Sequence, residues 1–229
     1  MTNRKRTLFL IIAIIICFAN NVNSEINDST KYAITINKIN NNLKIIETNK
    51  SFETDSFIRL AHKTLALSKE YNYDEGINTS YLYIANILEI RNKYDSAITY
   101  YQKGLEYTKD DNNRIATYYY SLARLYLLVD DYSNALEKSI HLKEMIESEK
   151  TDRFHYSVYN LLGLIYQSLM EYDLAKENYK KSAKLALADS NEAFVGVIYA
   201  NIGKLLYEQD SIPEALNFYK KGKKYFFLF

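Results

Sequence analysis

The chain has 229 residues, 48% hydrophobic and 25% charged, a balance that excludes a disordered polymer and fits one domain or one repeat array. Six glycines and one proline are too few breakers for a turn-rich β fold. The net charge is +1; without Arg4, Lys5 and Arg6 the 29 basic residues fall to 26 against 28 acidic ones, a net of −2, which prepares no surface for nucleic acid or an anionic membrane.

Residues 1–24 read as a signal peptide. Arg4-Lys5-Arg6 is a basic start, Thr7 to Phe18 is an almost pure apolar run, and Asn20 to Ser24 is polar, with Val22 and Ser24 as small residues before a cut near Glu25. The run is about a dozen residues, shorter than the ~20 a spanning helix needs. Export to the periplasm or the medium is expected; the alternative is anchoring through residues 7–18. Cys17, the only cysteine, lies in this run, so a cleaved chain holds no disulfide and no thiolate metal site.

Residues 25–74 are expected to be a degenerate first helix pair or an N-terminal cap. Lys31–Thr48 carries Ile34, Ile36, Ile39, Leu43 and Ile46, a weak apolar stripe. In Thr54–Tyr71, Ala61, Leu65 and Ser68 follow the second-helix spacing of the repeats that come next.

From residue 75 one pattern recurs. It reads Tyr81, Ile84, Ala85, Leu88, then Tyr94, Ala97, Tyr101; Tyr119, Leu122, Ala123, Tyr126, then Tyr132, Ala135, Ser139; Tyr159, Leu162, Gly163, Tyr166, then Tyr172, Ala175, Tyr179; and Tyr199, Ile202, Gly203, Leu206, then Ile212, Ala215, Tyr219. The anchor alanines Ala97, Ala135, Ala175 and Ala215 are 38, 40 and 40 residues apart. Within each copy the leading residues fall at i, i+3, i+4 and i+7, one face of a helix. The small residues Ala85, Ala123, Gly163 and Gly203 mark places where two helices approach closely, and the alanines do the same on the second helix. Asp95, Asp131, Asp173 and Asp210-Ser211 supply polar groups near second-helix starts. Pro213 falls in a first turn, where its missing N–H costs nothing.

This pattern resembles the tetratricopeptide repeat, whose signature runs aromatic, Leu-Gly, Tyr, Ala, Phe, Pro. The copies are about 75–112, 113–150, 151–190 and 191–229. The period is ~40 rather than 34, the closing Pro is missing, and Tyr replaces Trp. The resemblance implies an all-α fold, a right-handed α-α superhelix of about ten helices in antiparallel pairs. The signal peptide, the long period and the Asn/Lys/Ile/Tyr-rich composition also look like the N-terminal sensory regions of Bacteroidetes histidine kinases and LuxR-like regulators. In those proteins a transmembrane helix and an output domain follow, so the chain would be a truncated or frameshifted member of such a group.

The resemblance further implies a concave groove lined by first helices, where a protein or peptide partner binds. By helical spacing the inward positions are Leu82, Asn86 and Glu89; Tyr120, Arg124 and Leu127; Asn160, Leu164 and Gln167; and Ala200, Lys204 and Tyr207. The candidate binding residues among them are Asn86, Tyr120, Arg124, Asn160, Lys204 and Tyr207, and Arg124 with Lys204 could hold a carboxylate.

Nothing in the sequence points to catalysis, a cofactor or a metal. His62, His141 and His155 pair with no second histidine at i, i+4, the glycines never cluster into a phosphate loop, and the acidic pairs Asp110-Asp111 and Asp130-Asp131 suit turns. Lysines along the second helices alternate with glutamates, an ordinary mixed surface. The apolar end Tyr225–Phe229 is expected to support self-association.

Overall fold

A computed structural model describes residues 28–48 and 55–226. Among them there are helices and no strands. They are α1 (28–48), α2 (Asp55–Glu70), α3 (Asp74–Ile90), α4 (Tyr94–Glu106), α5 (Asn112–Leu128), α6 (Tyr132–Glu147), α7 (Ser157–Ser168), α8 (Tyr172–Ala188), α9 (Glu192–Glu208) and α10 (Ile212–Phe226). No described helix is long and apolar enough to cross a membrane. Residues 1–24 and Phe227–Phe229 lie outside the described residues.

The chain forms two compact units, one ending at Ile90 and the other starting at Arg91. In the first, α2 packs on α3, and Ile39, Leu43 and Ile46 are the buried stripe of α1, while Ile34 is exposed. Tyr73 donates to Asn40 Oδ1 at 3.2 Å, tying α1 to the α2–α3 turn.

In the second unit α5–α6, α7–α8 and α9–α10 are packed pairs, and α5, α7 and α9 also touch one another in sequence. Ala123, Ala135, Ala175, Ala215 and Tyr159 are buried on these helices, and Ala97 is buried on α4; in the first unit Tyr81 and Ala85 are buried, while Tyr119 and Tyr199 are half-buried. Tyr159 also donates to Glu147 Oε1 at 2.9 Å, and Lys181 lies 3.2 Å from the same oxygen.

The glycines work differently from simple helix-spacing residues. A Cβ on Gly163 would lie 2.5 Å from Cδ1 and Cε1 of Tyr179, and one on Gly203 would lie 2.9 Å from the same carbons of Tyr219. Each glycine therefore leaves room for a ring sent across from the paired second helix. Without the glycine, α7 and α8 could not close over Tyr179, which is 0% exposed.

The turns inside the three pairs share one conformation. Asp130, Met170 and Asp210 have φ of 59°, 62° and 58°. The residue after each donates back to Tyr126, Tyr166 and Leu206 carbonyls at 2.8, 2.9 and 2.9 Å, the left-handed C-cap that satisfies orphan helix carbonyls. Asp131 caps α6 by accepting from Asn134 N–H at 3.2 Å. Asp95 and Asp173 sit in the first turns of α4 and α8, near the second-helix starts as expected, where they meet the helix dipole rather than serve as N-caps.

Candidate functional site

Positions 124, 164 and 204 are the same repeat position on α5, α7 and α9, and so are 128, 168 and 208. Because those three helices lie side by side, the six residues converge. Arg124, Leu164, Lys204, Leu128, Ser168 and Glu208, with Leu127, Gln167 and Asp130, line a cavity of about 410 Å³. Its apolar part is Leu127, Leu128 and Leu164. Arg124 and Lys204 supply cations and Asp130 and Glu208 carboxylates.

The polar rim is held from behind. Gln167 Nε2 donates to Glu208 Oε2 at 2.7 Å, joining α7 to α9. Tyr179, reaching through the gap left by Gly163, donates to Gln167 Oε1 at 2.7 Å. Burial, and then the nearby Glu208 carboxylate, push the Tyr179 phenol far above its ordinary value, so it stays a donor and fixes which end of the Gln167 amide faces Glu208. Lys204 lies 3.8 Å from Glu208; the lysine is well exposed, so this pair contributes little and leaves the ammonium able to reorient.

Of the candidates read from the sequence, Arg124 and Lys204 line the cavity. Tyr120 does not. Its ring stacks on Phe154 at 4.3 Å and 5°, and burial raises its pKa, against the opposing charge of Arg124. Asn160 accepts from Asn201 Nδ2 at 2.8 Å, a lateral tie between α7 and α9. Tyr207 is exposed on α9 and outside the cavity lining. Asn86 belongs to α3 in the first unit, where it is half-buried. Leu128, Asp130, Ser168 and Glu208 line the cavity without standing among the sequence candidates. Three of them sit one turn beyond Arg124, Leu164 and Lys204, so the same spacing extended by four residues would have found them.

The histidines are engaged elsewhere. His141 stacks on Tyr119 at 5.5 Å, His155 Nε2 lies 3.0 Å from Asp189, and burial lowers His62. Among the described residues no group of three or more His, Cys, Asp or Glu is placed to hold a metal.

Antiparallel helix pairs locked by small residues, with first helices stacked in sequence, define an α-solenoid of helical hairpins. The tetratricopeptide repeat model matches residues 79–111 and 156–189, so the chain carries tetratricopeptide repeats in those stretches and its fold is that of a tetratricopeptide-repeat solenoid. It is 25% identical over 148 residues to the transcriptional activator NprA of Geobacillus stearothermophilus; the match covers 63% of this chain and 36% of NprA, so the chain spans about a third of that relative. Similar solved structures include BtubC from P. vanneervenii (TM-score 0.68, 16% identity, 87% of this chain and 82% of that one). The apo form of RapI is also similar (0.67, 15%, 83% of each), as is MamA (0.61, 21%, 83% and 91%). At these identities the likeness is one of fold.

Proposed function

We propose that the chain is a non-catalytic scaffold that binds a protein or peptide segment against α5, α7 and α9. The observation that carries this reading is the cavity itself, where three copies of one repeat position bring Arg124, Leu164 and Lys204 together. An apolar side chain fits among Leu127, Leu128 and Leu164, with a carboxylate of the same segment toward Arg124 or Lys204. No metal or cofactor enters this reading. The scaffold acts after export directed by residues 1–24, or while held at the membrane through residues 7–18. The test is capture from envelope extract by wild type and by an Arg124→Ala, Lys204→Ala double variant. A partner retained by wild type and lost by the variant, at unchanged helicity, is expected. Equal capture by both removes the groove from the reading.

A second reading is favoured by the likeness to a transcriptional activator: the chain is the sensory input region of a bacterial signalling protein. The same groove would then take the signal, and the sequence of the surrounding gene would show an output domain.

A further inference from the structure

Repeats stack through one stripe of each second helix. On α6 the stripe is Tyr132, Leu136, Ser139 and Lys143, and on α8 it is Tyr172, Lys176, Tyr179 and Ala183; α7 and α9 pack against these helices, and none of the eight residues is exposed. The equivalent stripe on α10 is Ile212, Leu216, Tyr219 and Lys223, at i, i+4, i+7 and i+11, and all four are exposed. Tyr219 sits over Gly203 as Tyr179 sits over Gly163, yet it is 39% exposed where Tyr179 is 0%, and Leu216 is 53% exposed. A helix facing water should be polar along such a stripe. This one is more apolar than its covered counterpart on α8, where Lys176 stands at the place of Leu216.

The charges along α10 indicate what covers it. The helix is acidic at its start, with Asp210 just before it and Glu214 in its first turn, and basic at its end, with Lys220, Lys221, Lys223 and Lys224. Two copies of α10 laid antiparallel set each basic end beside an acidic start, oppose their dipoles, and place Leu216 of one over Tyr219 of the other. Such an arrangement is two-fold and closes on itself. We propose that the stripe Ile212–Leu216–Tyr219–Lys223 docks against the same stripe of a second copy of this chain, antiparallel, about an axis near the middle of α10. This moves the self-association expected of Tyr225–Phe229 onto α10 itself. Tyr225 is turned toward Tyr199, with ring centroids 5.7 Å apart.

Sedimentation equilibrium of the purified 229-residue chain tests this. Wild type is expected to have the mass of a dimer. Leu216→Lys installs the residue that α8 carries at the same position, so the fold is retained by circular dichroism and the dimer weakens by at least about tenfold. Lys220→Glu with Lys223→Glu weakens it by about tenfold, and adding Asp210→Lys restores it, because the antiparallel register pairs those ends. A wild-type monomer, or a dimer indifferent to Leu216→Lys, overturns the proposal. Failure of Asp210→Lys to restore the charge-reversed variant overturns the antiparallel register.

Discussion

The α7–α8 pair closes on Tyr179 set against Gly163, and in the α5–α6 pair the same two repeat positions hold Ser139 and Ala123, both buried. Both second-helix residues are 0% exposed. The ring pairs with the glycine and the hydroxymethyl group with the alanine, so the summed volume across the joint is roughly conserved, as dense packing requires. The polar tips fare differently. The Tyr179 hydroxyl reaches Gln167, whereas Ser139 Oγ has no hydrogen-bond partner among the described residues. The position of Gln167 is Leu127 on α5, which offers no acceptor. One joint thus connects its core to the cavity rim, and at the equivalent place the other leaves a buried hydroxyl without a partner.

The sharpest way to break this comparison is to exchange one half of a joint. Gly163→Ala puts a methyl 2.5 Å from two carbons of a ring that has no space to retreat. Overpacking of up to roughly 3 kcal/mol, less about 1 kcal/mol of better helix propensity, leaves an expected loss of about 2 kcal/mol in urea unfolding. Adding Tyr179→Ser recreates the α5–α6 pairing, and the double variant should lose less than the two single variants together, by about 1 kcal/mol or more. Strictly additive losses would mean the two positions do not answer each other. Gly203→Ala should cost less than Gly163→Ala, since the half-exposed Tyr219 ring can move outward.

Much of the fold could be read because Ala97, Ala135, Ala175, Ala215 and the leading tyrosines repeat at a fixed period, and a buried helix face leaves its spacing in the sequence. The turns were harder. Their left-handed residues are Asp130, Met170 and Asp210, and the glycine that usually signals such a cap is absent. Spacing also placed Tyr120 and Asn160 on the inward face, but it cannot report contacts made from outside one helix. Tyr120 is covered by Phe154 from the α6–α7 connection, and Asn160 is taken by Asn201 of the next repeat. Arg124 and Lys204, one turn further along α5 and α9, line the cavity as the spacing implies.

A smaller change separates the ring from its hydroxyl. Tyr179→Phe keeps the fill of the joint and leaves Gln167 Oε1 without its donor. The expected loss is about 1 kcal/mol. Tyr219→Phe should change stability little, because that residue is 39% exposed. The folded state raises the Tyr179 pKa, so its contribution is complete below the unfolded tyrosine value of about 10 and falls as the pH rises above it. Tyr179→Phe should flatten that part of the alkaline unfolding curve. Equal effects of the two Tyr→Phe changes would show that the bond to Gln167 contributes nothing.

The smallest expected effect tests the other joint, and it has the opposite sign. Ser139→Ala removes a buried hydroxyl that gives up water without gaining a partner and improves helix propensity, so stability should rise by about 0.5 kcal/mol or more. Ser182 is the control, because it too is 0% exposed but donates to the Tyr156 carbonyl at 2.7 Å, tying α8 to the start of α7. Ser182→Ala gains the same propensity and loses that bond, so it should be neutral to destabilising by about 1 kcal/mol. Of two buried serines in equivalent helices, only Ser139 would then gain stability from the same substitution. If both variants melt below wild type, Ser139 has a partner in solution, and the α5–α6 joint is as fully bonded as its neighbour.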